Sequence, residues 1–146
     1  MNIEIIHKNL RIDIYGFSGI AVNKNYAGTA FKLMDKMWQI VKTKELKNKG
    51  INVWVYEIDE HIFAGVELYE TPDPDFGLEH KVVDLPNYAY HKHIGPYHLL
   101  KHVVPDMNDE IKNQGHEPAL PYVEIYGHWT KDESKLETEL LMAIAE

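Results

Sequence analysis

The chain has 146 residues, with 15 Lys and Arg against 23 Asp and Glu, a net charge of −8 and no cysteine. That length suits one domain able to bury about two thirds of its unfolded surface. The acidic balance argues against a nucleic-acid surface, which needs clustered Lys and Arg, and the lack of cysteine excludes disulfides and thiolate chemistry.

The opening Met1-Asn2-Ile3-Glu4-Ile5-Ile6-His7 has no signal-peptide pattern, and no apolar run approaches the roughly 18 residues of a membrane span, so a cytoplasmic protein is the expectation. Residues 3–10 and 12–23 read as strands around Lys8-Asn9, with a bulge or bend expected at Gly16 and Gly19. Residues 26–49 read as a helix closed by Gly50 as its C′ residue. Its apolar stripe is Ala30, Phe31, Leu33, Met34, Met37, Trp38 and Val41, and the basic cluster from Lys42 to Lys49 complements the helix dipole. Strands follow at 51–57 and 62–70, joined at Asp59-Glu60, and then a Pro-rich linker at 71–77. Beyond it come strands at 81–85 and 87–93, Gly95-Pro96, and a helix to Gln114 closed by Gly115. Pro105 conflicts with that helix. An irregular turn at 97–103, with the helix proper from near Val104, is the favoured reading. Two strands, 122–129 and 136–144, end the pattern.

The halves on either side of the linker, about 1–70 and 77–146, share one order of strand, helix, glycine, strand and strand. An offset of 70 lays Met37 on Met107, Val53 on Val123 and Tyr56 on Tyr126. It also lays Trp54 on Glu124, so a pseudo-two-fold axis is expected to set that indole and that carboxylate facing each other across a cleft. Tyr122, Glu124 and Tyr126 share one strand face by the two-residue period. A carboxylate among aromatic side chains either meets a basic partner or waits for a ligand or a reaction.

Three stretches stand out together: Tyr88-Ala89-Tyr90-His91-Lys92-His93-Ile94-Gly95-Pro96-Tyr97, then Gly115, then Pro121-Tyr122-Val123-Glu124-Ile125-Tyr126. In this order they resemble the gyrase-inhibitor-like (GyrI-like) family, also called the AraC-type effector-binding domain. The first half adds Phe31-Lys32-Leu33-Met34-Asp35-Lys36-Met37-Trp38 and Ala64-Gly65-Val66-Glu67-Leu68-Tyr69, so the resemblance covers nearly the whole chain. It implies an α+β fold: two pseudo-symmetric β-α-β-β units forming a curved antiparallel sheet, two helices on one face, and a central cleft for hydrophobic, often cationic, drug-like molecules. It implies Glu124 as the pocket carboxylate. Many members are fused to a helix-turn-helix module, for which this chain has no room. Some stand-alone members bind gyrase, and others hydrolyse cyclopropane-bearing DNA-alkylating toxins.

Three functions are therefore weighed. The first is a hydrolase of cyclopropanoid toxins, with Glu124 as general base and Tyr69 or His93 as hydrogen-bond donor. The second is a drug-sequestering or effector-sensing binder using the same cleft, and the third is a protein-interaction role. Trp38, Trp54, Tyr122, Tyr126, Tyr97 and Met37 are the expected ligand contacts. His91 with His93, and His98 with His102, have spacings that could join in a zinc site. Without cysteine or a His-Glu-x-x-His motif, neither a metal nor a cofactor is expected. Gly16-Phe17-Ser18-Gly19 lacks nucleophile-elbow spacing.

Overall fold

The computed structural model describes residues 1–145; Glu146, the last residue of the expected domain and second repeat, lies outside them. Eight strands form one antiparallel sheet: β1 (Glu4–Ile6), β2 (Leu10–Ile20), β3 (Asn48–Tyr56), β4 (His61–Leu68), β5 (Glu79–Leu85), β6 (Tyr88–Ile94), β7 (Pro118–Tyr126) and β8 (Glu137–Ile144). Two helices, α1 (Tyr26–Thr43) and α2 (Leu100–Asn113), cover one face. The strand order is β1-β6-β8-β7-β3-β4-β2-β5.

That order is palindromic about the β3–β7 boundary. Each half supplies a helix between its outer and central strands, and the expected α+β architecture is what the chain adopts. The edge strands are exchanged between halves: β1 pairs with β6 of the second half, and β5 with β2 of the first. Only residues 7–9 separate β1, at one end of the sheet, from β2, near the other. The four steps from Ile6 to Leu10 span at most about 14 Å, so the sheet must curl to bring β1 near β2, while among the described residues no ladder joins its two ends. Its concave face is packed shut by Ile12 and Ile14 of β2, Val83 and Leu85 of β5, and Val123 and Leu141 of the centre. The opposite, convex face receives the helices through Met37 and Val41 of α1 and Met107 and Ile111 of α2.

Local expectations were corrected in three places. First, α1 stops at Thr43, and Glu45, with φ of 53°, takes the left-handed position that Gly115 (φ 84°) fills after α2. Gly50 instead lies inside β3, with φ of 71°, where the β3–β4 register slips between Asn48 and Asn52. A glycine signal at the right distance from a helix served a bulge. Second, α2 begins at Leu100, after a 3₁₀ turn at Tyr97–Leu99, with Pro105 inside it. Pro105 sits little more than one turn in and forfeits only the bond to the carbonyl of Lys101, an exposed residue. Third, no bulge occurs at Gly16 or Gly19, since β2 pairs without a register break on both sides.

Gly16 is needed for a different reason: a Cβ there would sit 1.9 Å from the Ala64 carbonyl oxygen, on its partner strand. Gly16→Ala must therefore push β2 off β4. The expected loss is about 3 kcal/mol of stability, read as a lower denaturant midpoint at unchanged slope. A midpoint within error of the parent would show that the strands have room to part.

Candidate functional site

Strands β3 and β7 lie side by side on the pseudo-axis, with Trp54 opposite Glu124 and Tyr56 opposite Tyr122. Alternation sends Val53, Val55 and Val123 into the concave core and turns Trp54, Tyr56, Tyr122, Glu124 and Tyr126 toward the helices. Trp54 and Glu124 thus do not face each other across a cleft. They are neighbours on its floor, because an axis running between two adjacent strands pairs symmetry mates directly.

Above this floor, between α1 and α2, is a cavity of about 1000 Å³. Its walls are Phe31 and Met34 from α1, Tyr97 from the 3₁₀ turn, and Leu100 and Val104 from α2. The aromatic rings contact one another edge to face. Trp54 meets Tyr126 at 5.0 Å and Phe31 at 5.5 Å between centroids, and Tyr97 meets Tyr126 at 5.4 Å. The Trp54 indole N–H donates to the Met34 sulfur at 3.1 Å.

Glu124 is 4% exposed. Among the described residues no Lys, Arg or His pairs with it. Three phenols do. Tyr56 and Tyr126 donate to Oε1 at 2.6 and 2.7 Å, and Tyr122 donates to Oε2 at 2.9 Å. Three O–H donors converging on one group suit a carboxylate, which only accepts. Burial raises all three phenols far above the ordinary tyrosine value, and the Glu124 charge raises them further. They stay protonated at neutral pH and serve as donors, not as bases. The site is therefore a buried negative charge, hydrogen-bonded but not neutralised, at the bottom of an aromatic cavity.

The pseudo-symmetry also explains why the cavity runs under α2. In the first half Trp38 fills the corresponding space and its indole N–H donates to Asn52 at 2.7 Å. By the offset of 70 these two positions become Asn108 and Tyr122. The smaller Asn108 leaves room, and it lines the cavity with a buried side-chain oxygen that has no partner among the described residues.

No protein-family model and no curated protein matches the sequence. Solved structures do match. The structure of SAV2435 bound to tetraphenylphosphonium superposes with a TM-score of 0.61 at 16% identity, covering 99% of this chain and 94% of that one. The EcmrR C-terminal domain gives 0.62 at 13% identity, covering 100% and 99%. A hydrolase from Listeria innocua gives 0.51 at 12% identity, covering 95% and 92%. The chain adopts the fold these structures share, the one the GyrI-like resemblance implies.

Within this fold, five of the residues singled out from sequence come together at the cavity: Trp54, Tyr97, Tyr122, Glu124 and Tyr126. Four stand elsewhere. Met37 is fully buried in the core between α1 and the sheet, one helical turn from the Met34 that does line the cavity. Trp38 packs in that same core, held by Asn52. Tyr69 is 65% exposed just beyond β4, where alternation directs it away from the face carrying Leu68. His93 is buried on β6, bonded through Nε2 to the Pro96 carbonyl at 3.1 Å, with strand β8 between it and β7. No group of three His, Asp or Glu able to hold a metal occurs among the described residues. Sequence reasoning missed Tyr56, Phe31, Asn108 and Trp129. Tyr56 was the most accessible of these: it lies two residues beyond Trp54, and the repeat already laid it on Tyr126.

Among the described residues no helix is long and apolar enough to cross a membrane.

Proposed function

We propose that this domain captures hydrophobic cationic small molecules in the cavity above Glu124. The observation that carries this reading is the Glu124 carboxylate at the bottom of an aromatic pocket, which has three phenol donors but, among the described residues, no cationic partner. A buried charge balanced by hydrogen bonds alone still attracts a counter-charge through a low-dielectric cavity. Aromatic faces add cation–π attraction to a ligand positioned between them. The bound tetraphenylphosphonium of SAV2435 supports the same ligand chemistry on the same fold. The role that follows is drug sequestration in xenobiotic resistance, or sensing with the signal passed to another protein. The domain would act as one unit spanning the two pseudo-repeats.

The test is a titration with tetraphenylphosphonium followed by tryptophan fluorescence, since Trp54 forms the floor. At about 0.3 kcal/mol per non-hydrogen atom, a ligand of that size binds with a dissociation constant on the order of micromolar. Saturable quenching in that range is expected. A signal unchanged up to millimolar ligand would refute the reading.

One feature favours a second, catalytic reading. Oε1 of Glu124 accepts two phenols, whereas Oε2 accepts only Tyr122 and keeps an acceptor position. A water held there could add to a cyclopropane ring, giving its proton to Glu124 as the C–O bond forms and the strained C–C bond breaks. The ring electrons would pass to the ligand's conjugated carbonyl oxygen, stabilised by a nearby donor. Tyr97, which lines the cavity, would be that donor, since Tyr69 and His93 do not line it. Mass spectrometry of a cyclopropane-bearing alkylating drug after incubation distinguishes the readings: a hydrolase adds one water, and a binder returns the drug intact.

A further inference from the structure

The two halves differ most in the connection between their last two strands. Residues 57–60 join β3 to β4 through a tight turn in which Asp59 and Glu60 both have positive φ. Residues 127–136 join β7 to β8 by a longer path, and that path carries Trp129. Trp129 lines the cavity mouth and yet is 71% exposed. Among the described residues it has no aromatic partner and no side-chain hydrogen bond.

The ends of this loop are pinned. Gly127 donates to the Glu137 carbonyl at 2.8 Å. Asp132 accepts from the Ser134 backbone N–H at 3.1 Å, and its carbonyl accepts from Lys135 at 2.9 Å. Between these anchors, no backbone-to-backbone hydrogen bond ties residues 128–131 to the rest of the described chain. Within the span the Asp132 N–H donates to the Thr130 hydroxyl at 3.4 Å, a bond local to the loop. A short span fixed at both ends and tied in the middle only to itself can move its side chains without unfolding anything. Around the mouth Phe31, Tyr97 and Leu120 are also exposed apolar side chains. An indole turning inward would bury its own face and theirs.

We propose that residues 128–131 form a one-sided cap, and that Trp129 closes over the outer face of the bound cation. This rests on the cavity being a binding site for hydrophobic cations. The ligand then lies between two indoles, Trp54 beneath and Trp129 above, with Glu124 supplying the charge. Tryptophan offers the strongest aromatic face for a cation. Because the tight turn of the other half supplies no counterpart, the cap covers one end of the cavity and leaves the other for entry. Trp129 becomes the residue that sets how long a ligand stays.

The experiment uses the full chain labelled with 5-fluorotryptophan, which gives one ¹⁹F signal for each of Trp38, Trp54 and Trp129; Trp129→Phe assigns the third. On adding tetraphenylphosphonium, the Trp129 signal is expected to move and to lose its H₂O/D₂O solvent shift. Trp129→Ala should raise the dissociation rate about tenfold with the association rate equal or faster, and with the thermal midpoint unchanged. If the Trp54 signal moves while Trp129 keeps its position and solvent shift, and Trp129→Ala leaves the dissociation rate alone, the cap is wrong and the binding site stands. If no signal moves, the binding reading fails and the cap fails with it.

Discussion

Glu124→Gln is expected to weaken tetraphenylphosphonium binding about a hundredfold, roughly 2.7 kcal/mol, while the protein stays folded. The charge is what the cation meets, and the amide removes it with almost no change in shape. The three phenols need not lose their partner. The Gln oxygen still accepts from Tyr56 and Tyr126 at Oε1, and its N–H₂ can donate to the Tyr122 oxygen once that hydroxyl rotates. Replacing a buried charge by a bonded neutral group is near neutral for stability, within about 1 kcal/mol. Affinity and stability should thus separate, by calorimetry on one side and thermal unfolding on the other. Glu124→Leu provides the contrast. It orphans three buried hydroxyls, each costing about 1–3 kcal/mol, so there both quantities should fall. An unaltered affinity in Glu124→Gln would mean that shape alone selects the ligand.

The second large effect is alkaline instability. Tyr56, Tyr122 and Tyr126 are raised above the ordinary tyrosine value of 10.0 by burial first and by Glu124 second. Above pH 10 the unfolded chain releases these protons and the folded chain holds them. The folded state then binds more protons, so stability falls as pH rises, by about 1.4 kcal/mol per pH unit for each proton. Three such groups give about 4 kcal/mol per unit, steep enough to unfold a domain of this size within a few units above pH 10. Below pH 10 both states hold the protons and these groups contribute no slope. Phenolate absorbance near 295 nm should show these tyrosines appearing together with unfolding. Their gradual ionisation in a folded protein would show that the pocket is wetter than its geometry implies.

How far the sequence disclosed the molecule depended on whether a signal was local. The helix–strand order and the pseudo-repeat were readable because apolar periods of 3.6 and 2 are written in consecutive residues. Glu124 stood out because its strand neighbours are apolar or aromatic. What decides its chemistry, the hydroxyl of Tyr56, arrives from another strand, and that register cannot be read from one sequence. Gly50 misled because a C′ glycine and a bulge glycine carry the same mark. Alternation could have excluded Tyr69, since Leu68 faces the helices and its neighbour must not. Trp129 read as the tail of a strand, whereas β7 ends at Tyr126 and leaves it at the cavity mouth. His93 needed the strand order, which places β8 between it and the site.

The central claim is that the cavity selects positive charge through Glu124. Two probes of nearly the same shape and opposite charge, tetraphenylphosphonium and tetraphenylborate, isolate that variable. Calorimetric titration of the parent protein with each should show the cation bound on the order of micromolar and the anion at least a hundredfold weaker. Equal affinities, or a preference for the borate, would contradict the account.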